Sequence, residues 1–144
     1  VKNPGTEIYQ LSVKSTTDNL SRIREFVRDR CTEKSVSSQV IDKIVLAVDE
    51  ACSNIIKHAY RLSPDGDIQL TIRFVHGDCV IELLDRGVSF DLNAVPSPDM
   101  KSYLAQHRVG GLGIHLMRML MDGVEYHPSG EGNNRLVLRK HLSA

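Results

Sequence analysis

Three cysteines in 144 residues, Cys31, Cys52 and Cys79, are too few and odd in number for a disulfide framework. They sit within apolar patterns and no two have CxxC spacing, which argues against a zinc site and fits a reducing cytoplasm. A charge excess of either sign is missing too. Eighteen basic residues face eighteen acidic ones, so no basic surface for nucleic acid or an anionic membrane is expected. No apolar run approaches the roughly 18 residues that would cross a bilayer, and the N-terminus has no signal-peptide segment. The chain opens on Val1 rather than Met, as a piece excised from something longer would. Internal repeats, low-complexity segments and a domain boundary are also lacking, so residues 1–144 are expected to form a single domain of a cytoplasmic protein.

What is there reads as an ordinary globular domain, 41% apolar and 25% charged. A chain of this length buries roughly 68–70% of the surface its unfolded form exposes, so it needs no covalent staple. EIYQLSV places Tyr9, Leu11 and Val13 on one side and predicts a strand. Asp18 is positioned to cap a helix whose apolar residues, Leu20, Ile23, Val27 and Cys31, recur at helical steps, with Arg22, Arg24 and Arg28 opposite. A longer helix is predicted from about Ser38 to Tyr60. The turn SPDGD at 63–67 leads into alternating IQLTIRFV, the connector HGD and CVIELLD, which together read as a β-hairpin. A long loop or lid follows over roughly 86–109, with Ser97-Pro98-Asp99 marking the start of a short helix inside it. Glycines 110, 111 and 113 introduce a third helix, IHLMRMLMD, and GVEYH and NNRLVLRKH close the chain as a second hairpin about a Ser-Gly-Glu-Gly turn. The expected fold is α+β: a two-layer sandwich whose mixed, mostly antiparallel sheet is covered on one face by helices.

Three polar segments interrupt this scheme. In VDEACSNIIKHAY, Glu50 and Asn54 lie about 40° apart on a helical wheel, well away from the apolar stripe. One reading is a solvated helix face. The other is chemical: Asn54 offers an oxygen to Mg²⁺, which takes hard ligands and keeps water and phosphate for its other positions, while Glu50 serves as general base. DRGVSFD at 85–91 is either a plain turn or a purine site. In the second case Asp85 accepts a hydrogen bond from an adenine amino group, Gly87 lets the backbone approach the base, and Phe90 or Leu112 helps form a flat apolar slot. GGLGIHL at 110–116 is either a flexible helix entrance or a phosphate cradle, with free N–H groups at the helix N-terminus. It has neither the P-loop nor the Rossmann glycine spacing.

The three segments, in this order, resemble the N, G1 and G2 boxes of the gyrase, heat-shock chaperone, histidine kinase and MutL ATPase superfamily. Within it the chain is similar to the small anti-sigma-factor serine kinases of bacterial partner-switching systems: EACSNIIKHAY to their E-x-x-x-N…H-[AG]-Y signature, DRGVSFD to their D-x-G-x-x-F-D box, GGLGIHLM to their G-[GM]-x-G-[IF] box. The resemblance covers about residues 6 to 140. It implies a Bergerat-type fold holding ATP and Mg²⁺, with Glu50 as base, Asn54 as magnesium ligand, Asp85 and Gly87 at the adenine, and Gly110, Gly111 and Gly113 at the phosphates. His58 matches a box residue near the phosphates. The family often has a second glycine where this chain has Ser89, and a basic residue beside the phosphate-loop glycines, where Val109 stands here and Arg108 is one step earlier. The implied activity is phosphorylation of an anti-sigma-factor antagonist. The implied partners are that antagonist, a sigma factor and a second copy of the chain. The rival expectations are a catalytically weak ATP-dependent partner-binding module and the ATP-binding domain of a larger regulatory or histidine kinase. Arg22, Arg24 and Arg28 form either a partner surface or an ordinary solvated basic face.

Overall fold

Apolar residues at every second position build the sheet. The computed structural model describes residues 7–90, 113–129 and 132–142. Within them run five strands, β1 (Glu7–Lys14), β2 (Asp67–Val75), β3 (Asp78–Asp85), β4 (Gly123–His127) and β5 (Asn134–His141). Their spatial order is β1-β2-β3-β5-β4, and each of the four pairings is antiparallel. β5 therefore lies between β3 and β4, which point the same way. Strands that point the same way cannot be joined by a tight hairpin, so the chain crosses over through a helix before β4.

Cross-strand partners face the same side, and the register lines them up in rows. Leu11, Leu70, Leu83, Leu136 and Tyr126 make one row; Tyr9, Ile72, Ile81, Leu138 and Val124 make the next. The row at the sheet end is Val13, Ile68, Asp85 and Asn134, where the apolar face turns polar. This face is covered by α1 (Leu20–Glu33), α2 (Ser38–Asn54) and α3 (Gly113–Leu120), with α2 packed against both of the others. Ile23 and Val27 of α1, Ile44 and Val48 of α2, and Met117 of α3 are almost wholly buried. Each such side chain contributes about 1.5–3 kcal/mol by leaving water. Cys31, Cys52 and Cys79 are free thiols in this core. The opposite sheet face is held polar by ion pairs such as Arg135 with Glu82 (2.6 Å) and Arg139 with Asp78 (3.2 Å).

The helix starts differ from expectation. Asp18 does not cap α1: it lies in a 3-10 turn, Thr17–Asn19, and no side chain caps the helix that follows. Asn19, next in line, turns its amide back onto the Lys14 carbonyl at 2.9 Å. The cap that does form is Ser37, whose Oγ accepts from the Val40 N–H at the start of α2. Two of the three α1 arginines are taken within the helical layer, Arg24 by Asp49 at 2.6 Å and Arg28 by Asp42 at 3.0 Å. Arg22 is exposed and makes no ion pair with a described residue. The short helix expected at 97–99 lies outside the described residues.

Candidate functional site

At the polar end of the sheet face, Asp85 is only 4% exposed and Asn134, opposite it on β5, is fully buried. Asp85 Oδ1 accepts from Asn134 Nδ2 and from the Gly87 N–H, both at 2.9 Å. Its other oxygen, Oδ2, accepts nothing from the described residues. Burial raises the Asp85 carboxyl above the usual aspartate range, and the bonds from Asn134 and Gly87 oppose that rise. The result is a buried carboxylate with one oxygen committed and the other offered. Asn134 also donates to the Gly87 carbonyl (3.0 Å), while its Oδ1 accepts from Ser89 Oγ (2.5 Å) and the Ser129 N–H (3.3 Å). Asn134 was not foreseen from the sequence, where NNR reads only as the start of a strand.

The end of α2 closes over this row. The predicted helix runs to its expected length, but its last five residues, Ile55–Ala59, form a π-helical turn closed by Tyr60 N–H to the Ile55 carbonyl at 3.0 Å. Such turns are uncommon and recur at functional sites. Beyond it Arg61 and Leu62 take left-handed backbone angles, and the Leu62 N–H reaches back to the Ile56 carbonyl. The turn brings the Ala59 carbonyl to the 85–90 segment, where it accepts from the Val88 N–H at 2.7 Å. A Cβ on Gly87 would stand 2.5 Å from that carbonyl oxygen and 2.6 Å from its carbon. Gly87 is thus required here by the approach of the π-helical turn that ends the second helix, a reason different from the approach to a base expected from the sequence. Tyr60 fastens the same junction. Its hydroxyl donates to the Asp67 carbonyl at 2.6 Å and accepts from the Arg86 N–H at 2.7 Å, and a Cβ on Gly66 would overlap its ring.

Glu50 and Asn54 are half-buried rather than solvated, and neither forms a hydrogen bond or ion pair with a described residue. Burial first, then the neighbouring Asp49, raises the Glu50 carboxyl, while Lys57 lowers it. His58 is exposed and its ring lies 5.5 Å from Phe90, which in turn lies 5.6 Å from Tyr126. The structure thus places Phe90 in a chain of rings beneath the π-turn, with His58 at its outer end. Gly113 opens α3 as expected. Arg108, Gly110, Gly111 and Leu112 lie outside the described residues. A cavity of about 420 Å³ meets Asp85 and Asn134 at the sheet end, lined also by Ser12, Gln69 and Leu84 of the helix-free face. Glu50, Asn54 and His58 do not line it.

Residues 13–140 match the histidine kinase-like ATPase domain family. The chain belongs to that family. It is 31% identical over 139 residues to the serine/threonine-protein kinase BtrW of Bordetella bronchiseptica, covering 94% of each chain. It is 28% identical over 130 residues to the serine-protein kinase RsbW of Bacillus pumilus, covering 85% of this chain and 80% of that one. Among solved structures it resembles the RsbU and RsbW domains of Rv1364c from Mycobacterium tuberculosis, with a TM-score of 0.70 at 18% identity. That match covers 96% of this chain and 33% of the other. The SiaB–SiaC complex of Pseudomonas aeruginosa matches with a TM-score of 0.59 at 15% identity, over 92% of this chain and 88% of that one. The two structural likenesses carry the fold: the described antiparallel sheet under three helices is that of RsbW-like ATPase domains. Both of these relatives are named as serine- or serine/threonine-protein kinases. No helix among the described residues is long and apolar enough to cross a membrane.

Proposed function

We propose that the protein is an ATP-dependent serine/threonine-protein kinase and anti-sigma factor that phosphorylates an anti-sigma-factor antagonist in a partner-switching system. The observation that carries this reading is the divided carboxylate of Asp85, buried, with Oδ1 held by Asn134 and Gly87 and Oδ2 without a partner among the described residues. An acceptor of this kind suits the exocyclic amino group of adenine and opposes a 6-oxo purine, which would bring a second acceptor.

The half-buried pair on α2, whose side chains have no hydrogen-bond or ion-pair partner among the described residues, supplies the chemistry. Asn54 fits a magnesium ligand: its side-chain oxygen is uncommitted among the described residues. No cluster of three or more His, Cys, Asp or Glu stands near enough among them to hold a metal by itself. That sparse protein set is what Mg²⁺ takes when phosphates and water complete its shell. When bound, Mg²⁺ supplies positive charge at the phosphates. Glu50, one turn before Asn54, takes the proton of the incoming serine hydroxyl. The serine oxygen then bonds to the γ-phosphorus as the bond from that phosphorus to the ADP oxygen breaks. Burial of Glu50 moves its carboxyl towards the operating pH, which strengthens it as a base. Glycines 110, 111 and 113 with the N-terminus of α3 would cradle the phosphates, Arg108 would offset their charge, Leu112 would line the base, and His58 and Phe90 would flank the π-turn side.

In this reading residues 1–144 act as one cytoplasmic domain. Its protein partners are the antagonist that receives the phosphate, a sigma factor and a second copy of the chain. The test is transfer of labelled γ-phosphate to a serine-bearing antagonist, with Glu50→Gln as control. We expect transfer by the natural chain and a fall of about 10²-fold or more in the variant with ATP still bound. Unaltered transfer by Glu50→Gln would remove Glu50 from the chemistry. ATP binding without any transfer would favour the partner-binding module.

A further inference from the structure

The carboxylate of Asp85 does not hold its posture unaided. Asn134 has no exposure and four hydrogen bonds, and two of its partners are backbone groups whose polarity is beyond doubt. The Ser129 N–H can only donate, so it faces the Asn134 oxygen; the Gly87 carbonyl can only accept, so it faces the Asn134 nitrogen. These two fix the amide one way round, and Nδ2 must then point at Asp85 Oδ1, which it meets at 2.9 Å. With the amide so fixed, Ser89 gives its one hydroxyl proton to the nearer acceptor, Asn134 Oδ1, from the other side. Its hydroxyl approaches Asn134 Oδ1 at 2.5 Å and the Ser129 carbonyl at 3.1 Å, tying the segment after β3 to the start of β5.

We propose that Ser89 and Asn134 form a positioning pair that sets the choice of base: together they commit Asp85 Oδ1 and present Oδ2 as a pure acceptor. The inference rests on the reading of Asp85 as the adenine contact. A rotated Asn134 amide would put its oxygen against Asp85 Oδ1, two acceptors facing each other, and the carboxyl would have to turn or take a proton. A protonated Asp85 is a donor as well as an acceptor and could meet a 6-oxo purine. The pair therefore excludes the wrong base as much as it favours the right one. Neither residue need touch the nucleotide.

The experiment is calorimetric titration of ATP and of ITP, whose base carries an oxygen in place of the amino group. The full chain is compared with its Ser89→Ala, Ser89→Thr, Asn134→Ala and Asp85→Asn variants, each first checked for cooperative unfolding. The natural chain should prefer ATP. Asn134→Ala should lower ATP affinity about ten-fold and narrow the ATP/ITP ratio, as expected for loss of a hydrogen bond to a charged group. Ser89→Ala, at an exposed position, should narrow the ratio in the same direction, and Ser89→Thr, which keeps the hydroxyl, should restore it. In transfer assays both Ala variants should raise KM for ATP and leave kcat unchanged, since the bond-making groups stand elsewhere. If Asp85→Asn removes the preference while the Ser89 and Asn134 variants keep it at the natural value, the pair has no positioning role and the adenine reading survives. Should the natural chain itself show no preference, the adenine reading fails and the pair falls with it.

Discussion

Gly87→Ala separates two accounts of one glycine. If Gly87 only cleared space for a base, an added methyl group would weaken ATP binding and leave the ligand-free protein as stable as before. The structure says otherwise. The new Cβ would stand 2.5 Å from the Ala59 oxygen, 2.6 Å from its carbon and 2.7 Å from its Cβ, against the 3.5–4.0 Å at which carbon atoms rest. Two are backbone atoms of a packed helix end and the third is the methyl carbon fixed to it, so none can swing aside as a flexible side chain would. The 85–90 segment must retreat by about 1 Å, which stretches the 2.7 Å bond from the Val88 N–H to the Ala59 carbonyl beyond hydrogen-bonding range. Overpacking costs about 1–3 kcal/mol and the lost backbone bond about 1 kcal/mol more. A loss of about 3 kcal/mol should appear in urea unfolding without nucleotide, with an unchanged slope, and lower Tm by roughly 10 °C. A ligand-free Gly87→Ala protein within about 0.5 kcal/mol of the natural chain would refute this account of the helix junction.

Three other outcomes follow from the same geometry. Tyr60→Phe removes the hydroxyl that joins Asp67 to Arg86 and should cost about 1 kcal/mol in urea unfolding, with ATP affinity falling as the segment after β3 loosens; unchanged stability and affinity would show that the junction holds without it. Burial raises the folded carboxyl of Asp85, so the native state keeps a proton that the unfolded chain has released. Asp85 should therefore cost ligand-free stability increasingly as pH rises from the ordinary aspartate value through the raised folded value, and Asp85→Asn should abolish that fall. Urea midpoints across the acid range check it, and a stability difference that shrinks with rising pH would contradict the assigned direction. On α1, Arg24 and Arg28 are occupied by Asp49 and Asp42, whereas exposed Arg22 pairs with none of the described residues and is available to a partner. Arg22→Glu should weaken antagonist binding about ten-fold in a pull-down titration and leave ATP affinity intact, whereas unchanged antagonist affinity would remove α1 from the partner surface.

The sheet was legible because two-residue alternation leaves few ways to arrange it: Ile68, Leu70 and Ile72 share a face whatever their neighbours. The polar exceptions to those patterns, Glu50, Asn54 and Asp85, singled out the candidate site for the same reason. Three things were not legible. The π-helical turn is hidden because Ile55, Ile56 and Ala59 satisfy an α-helical stripe equally well; backbone bonds such as Tyr60 to Ile55 reveal it. Asn134 is distant in sequence from Asp85 and meets it through the β3–β5 register, which hydrophobic pattern alone does not specify when a helix intervenes. Capping went to Ser37 and not to Asp18 because a 3-10 turn absorbs Thr17–Asn19 before α1 begins, and residue type cannot tell those starts apart.

The central claim is that Asp85 and Asn54 belong to one ATP·Mg²⁺ site. Calorimetric titration of ATP into the full chain, with and without Mg²⁺ and alongside Asp85→Asn and Asn54→Ala, tests it directly. In Asp85→Asn the amide oxygen can still accept from Asn134 and Gly87, so the fold should persist while an NH₂ group faces the adenine amino group. The account predicts that ATP binds the natural chain, that Asp85→Asn loses that binding, and that Asn54→Ala binds ATP with no dependence on Mg²⁺. ATP binding unaltered in both well-folded variants would contradict it.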